Sequence, residues 1–96
     1  NELETDNKKI IDYFDQILAI KSINNENLNL IRIKKALFLF NGKNEELIIA
    51  TLNPIINSNS VWKESAIKLI ADYFSSKNEK NKAEEYYKLL NKKFEK

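Results

Sequence analysis

Residues 63–90 read KESAIKLIADYFSSKNEKNKAEEYYKLL, and this stretch decides the fold class. Each of its two halves carries apolar residues at the spacing i, i+3, i+4 and i+7, which places them on one face of a helix. The polar residues 75–78 separate the halves, so we predict two antiparallel helices joined by a short turn. The two stripes are Ile67, Ile70, Ala71 and Phe74, then Ala83, Tyr86, Tyr87 and Leu90.

Two more helices are predicted closer to the amino terminus. Residues 28–41 are apolar on nearly every side, so this helix should be packed on nearly every side and lie in the middle of the fold. Residues 8–18 show the narrower spacing of a single apolar face, with Asp6 or Asn7 as the candidate N-cap. The stripe of this first helix is Ile10, Tyr13, Phe14 and Ile17.

Asparagine and glycine residues mark the expected ends of the middle helices. Asn24 and Asn25 can cap helix 28–41 at its start, because a short polar side chain accepts a bond from a free backbone N–H. Gly42 is expected to end this helix in the left-handed conformation, which glycine adopts without steric cost. Asn44 should cap the helix that follows.

That next helix contains the single proline of the chain, Pro54. Proline removes one backbone hydrogen bond and its ring crowds the preceding turn, so we expect a kink or a restart of the helix there. Ser60 is then the expected N-cap of the fourth helix. Trp62 should pack on the preceding helix rather than serve as a platform for a ligand.

Helix and turn lengths recur along the chain. The turns at Gly42 and Asn78 are 36 residues apart, and Thr5 precedes Gly42 by 37 residues. A recurrence of this length is typical of helical repeats, and tetratricopeptide units are about 34 residues long. The alternative is a generic five-helix bundle whose apolar stripes only look periodic.

The stripes of residues 63–90 also resemble the tetratricopeptide signature, with large, large, small and aromatic residues on one helix and small, aromatic and apolar residues on the next. The resemblance implies an all-α fold in which antiparallel helix pairs stack as a short right-handed superhelix of about five helices. We expect a single domain, 1–96, with unit 60–96 closest to the signature. Unit 24–57 is a degenerate copy, and 1–20 an incomplete first unit that lacks its first helix.

Four segments resemble a narrower bacterial family, namely 40–46 (FNGKNEE), 52–56 (LNPII), 61–66 (VWKESA) and 83–87 (AEEYY). They are similar to the tetratricopeptide-like domain of the ancillary SecYEG translocon subunit and cell-division coordinator (YfgM-like) proteins. Trp62, which opens a helix after a short polar loop, is the most specific of these features. The resemblance implies a membrane anchor in the full-length protein and a domain at the periplasmic face of the inner membrane. It also implies partners such as the Sec translocon or periplasmic chaperones.

The composition excludes several kinds of catalytic site. The 96 residues contain no Cys and no His, which removes Cys/His metal sites, disulfides, thiol nucleophiles and His bases. The adjacent carboxylates Glu45/Glu46 and Glu84/Glu85 fit solvated helix faces better than an enclosed acid–base pair. We therefore predict that the chain is not an enzyme and has no catalytic residue, no metal site and no cofactor.

The charge balance bears on the possible partners. The net charge is +2, from 16 basic and 14 acidic residues, and Arg32 is the single arginine. Nucleic-acid binders concentrate Arg and Lys on one face, so this composition disfavours nucleic acid. The pairs Lys34–Lys35 and Lys92–Lys93 nevertheless keep a small nucleic-acid-binding domain as an alternative, which their clustering on one face would favour. A homo-oligomerisation domain is a third possibility. The longest apolar run, 36–40, is far shorter than the roughly 20 residues of a membrane span.

The leading expectation is that the chain binds a protein or peptide on the inner face of the array. In tetratricopeptide arrays the first helix of each unit lines a concave groove. Arg32 and Lys68 would recur at matching places there and hold an acidic or C-terminal carboxylate of a peptide, with Leu39 and Phe40 as an apolar anchor. The alternative is that these positions face solvent. The groove positions transferred by the resemblance are Asn29, Arg32, Ala36, Leu39, Phe40, Ser65, Lys68 and Asp72, followed by Ser75 and Ser76.

Overall fold

A computed structural model describes residues 2–42 and 44–94, with side chains described for 6–42 and 44–90. Within this part of the chain the regular structure consists of five α-helices, without a strand. The all-α class and the number of helices are therefore confirmed. The helices are α1 (Glu2–Leu18), α2 (Asn25–Leu39), α3 (Glu45–Ile56), α4 (Lys63–Ser76) and α5 (Lys80–Phe94).

The helices form an open array in which each packs mainly against its neighbours in sequence, α1 on α2, α2 on α3, α3 on α4 and α4 on α5. The Cα atoms span 46 × 35 × 13 Å. Packed helices lie about 8–10 Å apart, so the thinnest dimension leaves room for at most two layers. The finer expectation of a tetratricopeptide-like superhelix stays a prediction.

The core lies between α2, α3, α4 and α5. Each fully buried large apolar side chain of the core, such as Leu, Ile or Phe, contributes roughly 1.5–3 kcal/mol through the hydrophobic effect. The predicted α4 stripe is confirmed, since all four of its side chains are buried. The largest side chains without exposed surface are Phe74, Ile48, Leu52, Ile55 and Ile70.

Aromatic rings join the core to its neighbours. The Phe40 ring, just after α2, lies 5.3 Å from the Tyr73 ring of α4, measured between centroids. Phe74 lies 5.7 Å from Tyr86 of α5 in a stacked arrangement. Trp62 packs against the core. These contacts fix both α2 and α5 on α4, because paired rings add stabilisation beyond their buried area.

The left-handed helix end is at Asn78 and not at Gly42. Helix α2 ends in a right-handed residue, Phe40, and no glycine in the described part of the chain has a positive φ, so the prediction for Gly42 is wrong. Asn78 has a φ of 62°. The N–H groups of Glu79 and Asn78 donate to the carbonyl oxygens of Phe74 and Ser75 over 2.9 and 3.1 Å. This pair of bonds is the Schellman arrangement, which asparagine can also adopt.

Three other expected caps have mixed outcomes. Asn24 is the N-cap of α2, and its side chain accepts a bond of 2.9 Å from the Asn27 N–H, as predicted. Asn44 holds the N-cap position of α3, but its side chain makes no capping bond. Asp6 and Asn7 lie inside α1, which begins at Glu2, so the prediction that one of them caps it is wrong.

The connection from α3 to α4 also differs from expectation. Helix α3 runs unbroken through Pro54, whose side chain is exposed, so the restart at this residue is wrong. Helix α4 begins at Lys63, with Trp62 as its N-cap. Ser60 lies in the turn before it, and its hydroxyl accepts a bond of 3.0 Å from the Trp62 N–H. The prediction of Ser60 as the N-cap is therefore displaced by two residues.

Helix α2 is not enclosed on all sides. It lies between α1 and α3, with Ala36 and Leu39 buried. Lys34 and Leu37 on its other side are exposed, so the expectation of a helix packed on nearly every side is wrong. The apolar composition of α2 therefore exceeds what its neighbours cover.

Candidate partner-binding surface

Helix α1 is covered by the rest of the fold over a smaller part of its surface than any inner helix. It packs on α2, and none of its described side chains, from residue 6 onwards, is fully buried. Ile11 packs against the core and Phe14 is partly buried. Ile10 and Tyr13, which lie further round the same helix, are exposed. The apolar arc of α1 is thus wider than the strip that α2 covers.

The exposed large apolar side chains are concentrated at this end of the array. Six such side chains occur in the described part of the chain, and four of them lie on α1, on the turn after it and on α2. Their exposed fractions are 39% for Ile10, 66% for Tyr13, 44% for Ile20 and 49% for Leu37. We call this surface the α1–α2 face, and it consists of Ile10, Tyr13, Phe14, Ile17, Ile20, Leu37 and Phe38.

A pair of aromatic rings makes the face continuous across the two helices. The ring centroids of Phe14 on α1 and Phe38 on α2 lie 6.3 Å apart. Ile10 and Ile17 lie one turn before and one turn after Phe14, on the same side of α1. Leu37 precedes Phe38 on α2, but consecutive residues point about 100° apart around a helix, so Leu37 lies on a different side of α2 from the Phe14–Phe38 seam. Of the exposed apolar side chains, Ile10 and Tyr13 therefore lie beside the seam, and Leu37 is exposed at the same end of the array.

An ion pair ties the same two helices together at a different position. The Lys35 ammonium lies 2.6 Å from a carboxylate oxygen of Asp15. The Lys35 side chain is only 8% exposed, whereas that of Asp15 is 53% exposed. Because Lys35 is buried and paired, Lys34–Lys35 does not present two cations to solvent. The Lys92 and Lys93 side chains lie outside the described ones, so the predicted clustering of the lysine pairs stays untested.

The predicted groove residues of α2 are mostly covered. Asn29, Ala36 and Leu39 are buried, so their side chains cannot contact a partner at the surface. Arg32 is partly exposed and donates a bond of 2.6 Å to the Asn29 side-chain oxygen. Phe40 is partly buried against the core. On this helix the transferred positions fall largely on the packed side.

The predicted groove residues of α4 lie in different surroundings. Ser65, Lys68 and Asp72 are exposed, as are Ser75 and Ser76. Asp72 accepts a hydrogen bond from the Tyr87 hydroxyl of α5, which raises the pKa of Tyr87. Lys68 thus belongs to a solvent-facing side of its helix, while the helical neighbours of Arg32 are buried. The binding role of the exposed members stays a prediction.

Polar side chains tie the start of α2 to the α3–α4 connection. The Glu26 carboxylate accepts bonds from the Ser60 hydroxyl at 2.6 Å, the Val61 N–H at 2.8 Å and the Asn29 side-chain amide at 3.1 Å. The bond from Ser60, followed by that from Val61, lowers the pKa of Glu26. Donors to a carboxylate favour its charged form. We call this set, Glu26, Asn29, Ser60 and Val61, the Glu26 tie.

Other features offer less for chemistry. Glu45 and Glu46 lie in the first turn of α3, where the helix dipole stabilises a carboxylate. No group of three or more acidic, His or Cys residues could hold a metal ion among the residues that the structure describes. A cleft of about 660 Å³ lies between the α3–α4 connection and α5, with Ile67 and Lys63 among its lining residues.

None of the described helices is both long and apolar enough to cross a bilayer. The apolar stripe of α1 is visible in the sequence, but the same spacing is expected whether a stripe is covered or exposed. The α1–α2 face was therefore missed at the level of sequence.

No family model, no curated protein and no solved structure matches this chain.

Proposed function

We propose that this chain is a non-enzymatic protein-interaction module that binds a partner protein through the α1–α2 face. The observation that carries the proposal is the exposure of Ile10 and Tyr13 beside the Phe14–Phe38 seam, with Ile20 and Leu37 exposed at the same end of the array. Contiguous apolar patches on a protein surface mark interaction sites, whereas single exposed apolar residues are ordinary.

The two ends of the array differ in a way that supports this assignment. Terminal helices of helical arrays usually turn a polar side to solvent, because no further neighbour covers them. The described side chains of α5 that face solvent are mainly polar, with Leu89 as the exposed large apolar one, whereas α1 exposes both Ile10 and Tyr13. A partner at the α1 end would cover the surface that the chain itself leaves open. The exposed polar residues of α5 are Lys80, Asn81, Lys82, Glu84, Glu85 and Lys88.

The shape and chemistry of the face suit the apolar side of a partner helix. Ile10, Tyr13 and Ile17 form a straight stripe along α1, which matches the i, i+3, i+7 anchors of helix-on-helix recognition. Tyr13 is the expected main anchor, because a large aromatic side chain with a polar tip contributes much of the energy of many interfaces. The resemblance to YfgM-like proteins makes a protein of the bacterial envelope, near the Sec translocon, the finer candidate for that partner.

Site-specific photo-crosslinking in cells that express the chain tests the proposal. A photoreactive phenylalanine analogue replaces either Tyr13 or Leu37 on the face, and Lys68 or Asp72 of α4 in matched controls. We expect protein adducts from the first two positions and few from the controls. Adducts that form only from Lys68 and Asp72 would assign binding to the exposed side of α4. The absence of adducts at all four positions would contradict an interaction role for either surface.

A further inference from the structure

We infer that the protein bound at the α1–α2 face is a second copy of this chain, held by antiparallel packing of two α1 helices about a two-fold axis. The inference rests on the proposed function, since it names the partner for the same face. It follows from the order of apolar and charged residues along α1.

The exposed stripe of α1 is self-complementary in the antiparallel direction. Asp6 lies one turn before Ile10 on the same side of the helix and is exposed, and Lys21 is exposed beyond the other end. Asp6 and Lys21 are the same number of positions from the midpoint between Tyr13 and Phe14; for Asp6 this is about 11 Å along α1 at the helical rise of about 1.5 Å per residue, and Lys21 lies in the turn after α1. The stripe therefore has an acid at one end and a base at the other.

An axis through that midpoint brings complementary groups together. Ile10 comes opposite Ile17 of the second copy, because both lie at the same distance from the axis. Tyr13 comes opposite Phe14 of the second copy, next to the seam with Phe38. Asp6 comes opposite Lys21 of the second copy. The arrangement thus pairs apolar groups at the centre and opposite charges at both ends, as packed interfaces do.

Lys21 lies three positions after the end of α1, in the turn that leads to α2. The Ala19 N–H donates to the Asp15 carbonyl oxygen over 3.1 Å, and the Ile20 N–H donates to the Ile17 carbonyl oxygen over 3.0 Å. These bonds continue the helical turn through Ile20. The long side chain of Lys21 then covers the remaining distance to a carboxylate of the second copy.

The solvent side of α5 at the opposite end of the array suits a contact with the α1 stripe less well, because Leu89 is its one exposed large apolar side chain among the described residues. A head-to-tail contact would place α5 of one copy on α1 of another, and the solvent side of α5 carries charged residues such as Glu84 and Lys88. Burying these unpaired charges against Ile10 and Tyr13 would cost free energy. A contact between two identical faces also closes after two copies, so it yields a dimer rather than a filament.

Molar-mass measurement by sedimentation equilibrium, over a range of concentrations, tests the inference with Asp6→Lys and Lys21→Asp. Each single change puts two like-charge contacts into a dimer, and we expect the dissociation constant to rise about tenfold or more. The two single variants should form a mixed dimer when combined, since each then supplies the charge that the other needs. The double variant should dimerise like the unchanged chain. Asp12→Lys and Lys8→Asp, on another side of α1, are the matched controls and should have little effect.

Circular dichroism of each variant checks that the helices are retained, because exposed single charges contribute little to stability. An unchanged chain that stays monomeric at every concentration would overturn the inference. So would a dimer whose dissociation constant ignores both charge changes, or a mixture of the single variants that gives no mixed dimer. Adducts from Tyr13 to a different protein alongside a monomeric chain would overturn the second copy as partner and leave the proposed binding face in place.

Discussion

The Ser60 hydroxyl donates a hydrogen bond to the Glu26 carboxylate over 2.6 Å, although the two residues lie 34 positions apart in the chain. The same hydroxyl accepts bonds from the Asn29 amide at 3.1 Å and the Trp62 N–H at 3.0 Å. One small side chain thus connects the start of α2 to the start of α4. This contact holds α2 against the α3–α4 connection in addition to the apolar contacts that α2 makes in the core.

Ser60→Ala should lower the free energy of unfolding by about 1–3 kcal/mol. The change removes a donor to a carboxylate and leaves the Asn29 amide and the Trp62 N–H with one acceptor fewer. Urea unfolding measures the difference. Ser65→Ala, at an exposed site on α4, is the control and should stay within about 0.5 kcal/mol of the unchanged chain. Equal effects of the two changes would contradict a stabilising role for the Glu26 tie.

The Glu26 tie should make stability depend on pH in a defined direction. The pKa of Glu26 is lowered from its reference value of 4.5, so the folded state binds its proton less readily than the unfolded state. The stabilisation is therefore fully present above pH 4.5 and is lost as the pH falls through the folded-state pKa. Unfolding of the unchanged chain and of Glu26→Gln should differ most near neutral pH, and the difference should shrink in acid.

The control for this pH dependence is Glu46→Gln, which changes an exposed carboxylate outside the tie. It should not reproduce the loss seen for Glu26→Gln at neutral pH. A difference between the unchanged chain and Glu26→Gln that grows as the pH falls would have the wrong sign for a lowered pKa.

Ala71→Leu should destabilise the chain by roughly 1–3 kcal/mol, because the added side chain must force apart groups that already fill the space around a fully buried alanine. Thermal unfolding monitored by circular dichroism measures the effect. Ala50→Leu places the same side chain at an exposed position of α3 and should be nearly neutral. Tolerance of leucine at residue 71 would mean that α4 and α5 are not closely packed there.

The α4 stripe and the α1 stripe show what the sequence predicts and where it stops. The spacing of Ala71 and Phe74 predicts a buried helix face, and the structure confirms it. Tyr13 and Phe14 belong to a stripe of equal quality, yet Tyr13 is exposed while Phe14 meets Phe38. Periodicity reports which side of a helix is apolar, but coverage depends on a neighbour, and the pattern does not contain the neighbour.

The predicted groove residues Arg32 and Lys68 lie in different surroundings for a related reason. Helix α2 is apolar on most sides, so its sequence does not single out the side that faces α3, and the transferred positions fell on that packed side. Lys68 lies on a helix with a clear polar side, and it is exposed. The Glu26–Ser60 bond could not be predicted, because it depends on the path of the chain between two helices.

Replacing Asp15 and replacing Lys35 should lower the free energy of unfolding by different amounts. Asp15→Asn leaves a buried ammonium without its counter-charge, and we expect a loss of about 1 kcal/mol or more in the free energy of unfolding, since the partly exposed carboxylate is partly screened. Lys35→Met removes the buried charge and keeps most of the side-chain volume, so it should cost less. Urea unfolding of both variants and of the double variant gives the coupling energy. A larger loss for Lys35→Met would contradict the burial of an ammonium at this site.

Amide hydrogen exchange, compared between dilute and concentrated protein, tests most directly that the α1–α2 face is the surface where two copies of this chain meet. We predict slower exchange in concentrated protein at the amides of α1 around Ile10–Ile17, and unchanged exchange along the exposed side of α4 from Ser65 to Asp72. Slower exchange confined to α4, with α1 unchanged, would contradict the account.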